Sequence, residues 1–173
     1  ATSSIVKKMT ESAGGKLVVT AVGSPIVART MKKDSGIFGG EENGGLIFAD
    51  HQYCRDGAMG VARMLELIAT KGSLDCQLER LPKYHTVKKA IPCTEDAKKD
   101  LCDRIASNHR NEQINRMDGL RLDFEDGWVL IRPSGTEPKV RIYSESMDSA
   151  VAERRSEQFV SETLKIVGDQ CTE

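Results

Sequence analysis

"GLRLDFEDGWVLIRPSGTEPKVRIYSE", residues 119–145, decides the fold of the second half of this chain. Leu120, Leu122 and Phe124 alternate with charged residues, the period-two pattern of a strand with one buried face. Asp126-Gly127 supplies turn chemistry and Trp128 to Ile131 lead the chain back, so a hairpin is expected. "RPSGTEP" then interrupts, and "KVRIYSE" gives a further strand. Working outward, "YHTVKKAIPC" (84–93) reads as a strand and "TEDAKKDLCDRIASN" (94–108) as one polar helix capped by Thr94. On the other side, "DSAVAERRSEQFVSETLKIVG" (148–168) is an amphipathic helix with Val151, Phe159, Val160, Leu164 and Val167 near one face. The order β-α-β-β-β-α predicts an antiparallel sheet backed by helices.

The first half has a different rhythm. "SIVKKMTESAG" is a helix capped by Ser3 or Ser4 and ended by Gly14-Gly15. "KLVVTAV" (16–22) is a β-branched run of strand length. Ser24 as cap and Pro25 at the first helical position start a second helix, "IVARTMKK". "SGIFGG" and "GLIFA" are two short strands joined by the polar loop "EENG". "RDGAMGVARMLELIATKG" (55–72) is a helix capped by Asp56, with an apolar stripe of Met59, Ala62, Met64, Leu65 and Ile68, closed by Gly72. "SLDCQLERLP" is a short helix stopped by Pro82. This alternation predicts a three-layer-type α/β domain with a mixed sheet over residues 1–85, followed by the smaller α+β domain over 86–173. The junction falls near residues 80–92.

Bulk properties narrow the function. The 25 Lys and Arg nearly balance the 26 Asp and Glu, for a net charge of −1. No global field therefore draws the chain to nucleic acid or to an anionic membrane, and any anion site must be local. Eight Phe, Tyr and Trp residues with no platform among them also weigh against a nucleic-acid partner. No apolar run approaches the ~20 residues that span a bilayer, and no signal-peptide pattern opens the chain. Cys54, Cys76, Cys93, Cys102 and Cys171 are odd in number and scattered. They point to reduced thiols in a cytoplasmic setting, against a disulfide framework and against a cysteine-based zinc site. The chain enters structured sequence directly at Ala1, as expected of a processed protein or a piece of a longer one.

Three loops carry possible chemistry. In "RPSGTEPKVR" (132–141), Arg132 offers a planar fork that matches two oxygens of a phosphate. Ser134 and Thr136 add hydroxyl donors, Gly135 lets backbone N–H groups curl into an anion nest, and Lys139 and Arg141 share a face of the following strand. A solvated turn with outward charges fits the same composition. In "GGEENGG" (39–45), Glu41 and Asn43 at alternate positions would point to one side and hold vicinal hydroxyls, as sugar recognition requires. A polar hairpin tip is the plainer reading. "TAVGSP" (20–25) runs a strand into a glycine turn at a helix N-terminus, where free N–H groups and a partial positive charge gather. His51, His85 and His109 have no ligand spacing. The roles of His51 and Arg55, which follow the Glu41 loop, stay open. No P-loop, no Ser-His-Asp arrangement and no carboxylate cluster for magnesium is present.

In this order the loops resemble the C-terminal half of the α-D-phosphohexomutases, the superfamily of phosphoglucomutases, phosphomannomutases and phosphoglucosamine mutases. Gly40-Glu41-Glu42-Asn43-Gly44-Gly45 matches the sugar-contacting G-E-x-S-G-H-like loop of the third domain. Arg132, Ser134, Gly135 and Thr136 match the R-x-S-x-T phosphate loop of the fourth, and "RPSGTEP" is closest to archaeal-type phosphomannomutases and phosphoglucosamine mutases. The resemblance implies a TATA-binding-protein-like sheet for the last domain. It implies sugar binding by Gly23, Glu41 and Asn43, and phosphate binding by Arg132, Ser134, Gly135, Thr136 and Arg141. Asn43 stands for the common Ser, and Gly45 for a frequent His. The family's phosphoserine and its magnesium-binding D-x-D-x-D-R loop have no counterpart here. The resemblance thus implies an isomerase acting through a hexose 1,6-bisphosphate. Its Mg2+ and phosphoryl donor would sit on missing N-terminal domains, and this chain alone would be inactive. A free-standing phosphosugar-binding or regulatory module is the alternative.

Overall fold

The computed structural model describes residues 1–170, and the side chains through Gly168; Cys171 lies outside the described residues. The chain divides into two compact units, Ala1–Lys83 and a second from Tyr84 onward.

In the first unit, helix α1 (Ser4–Ser12) is capped by Ser3, whose hydroxyl accepts from the Ile5 N–H. Helix α2 (Ser24–Asp34) follows, then strands β1 (Phe38–Gly40) and β2 (Leu46–Phe48), which pair antiparallel with Gly40 opposite Leu46. Helix α3 (Gly57–Lys71) begins at Asp56, whose Oδ1 accepts from the Met59 N–H at 2.9 Å, and helix α4 (Leu74–Leu78) begins at Ser73. Val27 and Met31 of α2 pack on Ile47 of β2, with Ala28, Ala49 and Tyr53 at the margin.

Two expectations fail in this unit. Residues 16–22 lie outside any strand, and Val18, Val19 and Val22 are exposed. Their β-branched composition suits a pleated surface. A strand persists only where a neighbour takes its ladder hydrogen bonds, and no described segment pairs with these residues. The α3 stripe is also uncovered: Met64, Leu65 and Ile68 are exposed, and no residue of α3 is buried.

The second unit is a five-stranded antiparallel sheet of order β3-β7-β6-β5-β4, with β3 (His85–Pro92), β4 (Gln113–Asn115), β5 (Leu120–Phe124), β6 (Gly127–Pro133) and β7 (Lys139–Ser146). One face packs against helices α5 (Glu95–Lys98), α6 (Leu101–Asn108) and α7 (Ser149–Gln170). Leu101 and Ile105 of α6, Leu120, Leu122, Val129, Ile131, Val140 and Ile142 of the sheet, and Phe159 of α7 are sealed between them. The other face carries Trp128, Leu130 and Tyr143. Arg121 lies over the Trp128 ring, whose Nε1–H donates to the buried Glu145 carboxylate at 2.7 Å.

Four details depart from the sequence reading. The predicted single helix breaks into α5 and α6 at Lys99-Asp100. A short edge strand, β4, adds itself to β5. The hairpin turns at Glu125-Asp126, because Phe124 pairs with Gly127. Gly127 is therefore a strand residue, and close approach explains it: a Cβ there would sit 1.8 Å from the Glu145 carbonyl oxygen. On α7 the buried stripe is Ala152, Ser156, Phe159, Thr163 and Ile166, whereas Leu164 faces out. Small and hydroxyl side chains let the helix lie close to the sheet, so counting large apolar residues alone misplaces the face.

Candidate functional site

The loop between β6 and β7 is built around Ser134. Ser134 is a buried residue, and its hydroxyl oxygen accepts from the Glu137 N–H at 3.1 Å and the Thr136 N–H at 3.4 Å. The Ser134 N–H in turn donates to the Lys139 carbonyl at 2.9 Å, closing the loop where the strands diverge. Ser134 thus shapes the turn by accepting, and its own proton stays available to a ligand. A Cβ on Gly135 would meet nothing within 4 Å, so the crown of the loop faces open space.

Three cationic side chains flank this crown. The Arg132 Nε lies 3.0 Å from the Asp118 Oδ2, an ion pair whose angle makes no sound hydrogen bond for the buried Nε. That contact orients the guanidinium from behind, and its two Nη groups have no partner among the described residues. Arg141 donates from Nη2 to the Glu137 carboxylate at 2.7 Å, and the Lys139 ammonium meets the other Glu137 oxygen at 2.7 Å. Tyr143 and Glu137 raise the Arg141 pKa above its ordinary value, so its charge is fixed. Lys139 first, then Arg141, hold the Glu137 carboxyl below the usual glutamate range. Arg132 and Arg141 stand opposite one another across β6 and β7. The sequence reading therefore brings together Arg132, Ser134, Gly135, Thr136 and Arg141. It missed Asp118, Glu137 and Lys98, whose ammonium donates to the carbonyls of Ser134 at 2.8 Å and Glu137 at 2.6 Å. Glu137 lies inside the quoted loop and could have been read as the partner of Lys139 and Arg141. Lys98 gave no local signal, being a lysine in a polar helix.

In the first unit, Glu41 turns inward. Its Oε1 accepts from the Gly23 N–H at 2.9 Å, and its Oε2 lies 3.8 Å from the Arg55 guanidinium. Gly23, not Ser24, precedes the first turn of α2, with φ 137°, a conformation open to glycine and strained for other residues. Its amide is thereby spent on Glu41. The Asn43 Oδ1 accepts from the Gly45 N–H at 3.1 Å and closes the hairpin tip. Glu41 and Asn43 thus engage separate partners, instead of projecting together as the alternation suggested. The Asp56 Oδ2 accepts from the His51 ring at 3.0 Å and from the Gln52 amide at 2.8 Å. The Met59 N–H and His51 lower the Asp56 pKa, so this trio belongs to the start of α3.

A shallow hollow on the second unit is lined by Asn111, Gln113, Asp123, Glu125, Asp126 and Arg155, and takes in no residue of the 132–141 loop. No group of three His, Cys, Asp or Glu side chains among the described residues could hold a metal ion. No helix among the described residues is long and apolar enough to cross a membrane. Cys54, Cys76, Cys93 and Cys102 are free thiols.

Comparison with known proteins gives the family of both units. Residues 1–84 match the family model described as phosphoglucomutase/phosphomannomutase, alpha/beta/alpha domain III, and residues 89–162 match the C-terminal domain of the same family. A phosphoglucomutase/phosphomannomutase of Thermococcus kodakarensis is 37% identical over 170 residues, covering 96% of this chain and 36% of that protein. A Methanocella arvoryzae protein named as a phosphoglucosamine mutase is 35% identical over 162 residues, covering 92% of this chain and 37% of that protein. The chain spans about a third of the length of these relatives. A crystal structure of a phosphoglucomutase/phosphomannomutase family protein from Burkholderia thailandensis superposes with TM-score 0.76 at 23% identity, over 93% of this chain and 35% of that one. That likeness shows a shared fold. The match of both halves to consecutive domains of one family, in the family's order, places this chain in the phosphoglucomutase/phosphomannomutase family.

Proposed function

We propose that this chain supplies the sugar grip and the phosphate grip of a phosphohexomutase that interconverts hexose 1-phosphates and 6-phosphates. Residues 1–85 carry the sugar grip and residues 86–173 the phosphate grip. Arg132, Ser134, Gly135, Thr136 and Arg141 hold the phosphate that is not reacting; Glu41, Asn43 and Gly23 lie on the sugar side. In this reading a phosphoserine outside the chain gives its phosphoryl group to the free sugar oxygen. The 1,6-bisphosphate turns over in place, and the other phosphate returns to the serine. One fixed grip then serves both orientations, and its contribution is geometry and charge held ready in advance. Magnesium, in this reading, is bound by parts of the protein that this chain does not contain. A cytoplasmic setting, consistent with the free thiols, completes it.

The observation that carries the proposal is the arrangement at Arg132: its Nε forms an ion pair with Asp118, and its Nη pair has no hydrogen-bond partner among the described residues beside the open crown at Gly135. Glucose 1-phosphate titrated into the chain should shift the amides of Gly135 and Thr136. Arg132→Gln should weaken that response by about 30-fold, the loss of roughly 2 kcal/mol expected for a broken charge-assisted pair. In the full-length gene product the same substitution should depress mutase turnover. Unchanged binding and unchanged turnover would sink the assignment. Binding without any mutase activity in the full-length product would favour a regulatory module.

A further inference from the structure

Lys98 is the only lysine buried among the described residues, with 7% of its side chain exposed. It sits at the end of α5, 36 residues from the loop it touches. An ammonium has three protons to place. Here they go to the Ser134 carbonyl at 2.8 Å, the Glu137 carbonyl at 2.6 Å and the Glu95 carboxylate. The two carbonyls bracket Gly135 and Thr136, so a single buried cation ties down both ends of the loop crown.

The planarity of the peptide bond gives this a consequence. In a trans peptide the C=O and the following N–H point in opposite directions, and no peptide bond among the described residues is cis. Because the Ser134 carbonyl is turned inward to Lys98, the Gly135 N–H is turned outward. The next two amides, of Thr136 and Glu137, are occupied by the Ser134 hydroxyl. Gly135 N–H has no partner among the described residues, and its flank is open. The same ammonium stands behind the crown in a water-poor place, its charge shared with the Glu95 carboxylate.

We propose that Lys98 is a positioning residue for phosphate binding. Its ammonium holds the Ser134–Gly135 peptide so that the Gly135 N–H faces the anion. This rests on the phosphate-loop reading of residues 132–136 and adds a residue that the loop motif does not contain.

The test uses the whole 173-residue chain and inorganic phosphate, followed at the Gly135 amide by NMR. Lys98→Met keeps the length and removes the charge and donors. It should leave the amides of Ile131 and Ile142 protected from exchange, showing an intact sheet, and weaken phosphate binding by about 10- to 100-fold. Lys98→Arg should recover most of that affinity, which a residue needed only for packing would not predict. Wild-type affinity in a folded Lys98→Met chain overturns the positioning role and leaves the phosphate loop standing. A wild-type chain whose Gly135 and Thr136 amides ignore both phosphate and glucose 1-phosphate removes the phosphate-loop reading and this inference with it. If Lys98→Met does not fold, the Lys98 ammonium resonance of the wild-type protein decides. Movement with the same midpoint as the Gly135 amide supports the proposal, and a static resonance while Gly135 moves overturns it.

Discussion

Glu137 is the side chain that most directly opposes an anion at the loop, because it already occupies Lys139 and Arg141. A carboxylate there neutralises two cations that would otherwise face a phosphate. It also holds the loop's far end, so its net effect is a balance of charge against order. The half-exposed position favours charge, since pairs of this kind near the surface order the chain weakly. Glu137→Gln should therefore tighten inorganic phosphate binding by roughly two- to fivefold at fixed ionic strength. Weaker binding in that titration would mean that ordering dominates. The same contacts set a pH dependence. Lys139 and Arg141 hold the folded-state pKa of Glu137 below its ordinary 4.5. The group thus adds stability above pH 4.5, and the contribution is lost as pH falls through the lower folded value. A carbon-13 titration of the Glu137 carboxyl should give a midpoint below 4.5 in wild type. Lys139→Met should move that midpoint upward, and no movement would remove Lys139 as its main cause.

At the level of elements, the strand-helix sandwich of the second unit makes two demands that composition conceals. The first is the contact of β6 with β7 at Gly127, where any Cβ would strike the Glu145 carbonyl. Backbone cannot yield as a flexible side chain can, so Gly127→Ala should destabilise the unit by about 2–3 kcal/mol, measured by urea unfolding. A loss under 0.5 kcal/mol, the ordinary range for a harmless surface change, would show that the strands can part there. The second is the seam of α7, where the hydroxyls of Ser156 and Thr163 are buried without a hydrogen-bond partner. Removing an unsatisfied buried hydroxyl relieves a desolvation cost, so Ser156→Ala and Thr163→Val should each be neutral or stabilising by up to about 1 kcal/mol. Clear destabilisation by either would reveal a partner gained in solution. These elements also mark how far the sequence could be read. The alternation at Leu120, Leu122 and Phe124 named its strand because period two is a local property. Arg132, Ser134 and Gly135 were readable together because one turn holds them. Asp118, Lys98 and the hydroxyl seam of α7 were not, because their partners are set by the sheet's register and by contacts far along the chain. "KLVVTAV" was misread for the converse reason: its composition suits a strand, but strand formation needs a neighbour.

The whole molecule is uneven, and that unevenness should appear in its unfolding. Among the described residues, the second unit seals fourteen apolar side chains in one cluster, from Ile91 to Ile166. The first unit seals three, Val27, Met31 and Ile47, and leaves Val61, Leu65 and Ile68 of α3 exposed along one face. Burial of apolar surface is the main source of stability, and a unit with so little of it lies near the margin. Native-state hydrogen exchange should therefore find the slowest amides in β5, β6 and β7, opening only with global unfolding of that unit. Amides of α1 and of residues 16–22 should open at a cost of roughly 0–2 kcal/mol, the low end of local fluctuations. Heating should remove the first unit's signals before the second's. Leu65→Lys should leave the first transition within about 0.5 kcal/mol, because the side chain is already in solvent. It should also reduce concentration-dependent self-association, read by sedimentation, since it interrupts an exposed apolar face. If α3 is instead covered in solution, whether by a second copy of the chain or by closure of the first unit upon itself, Leu65→Lys will lower the first transition sharply. Equal protection across both units would point the same way, and the exposed stripe would then be an interface already in use.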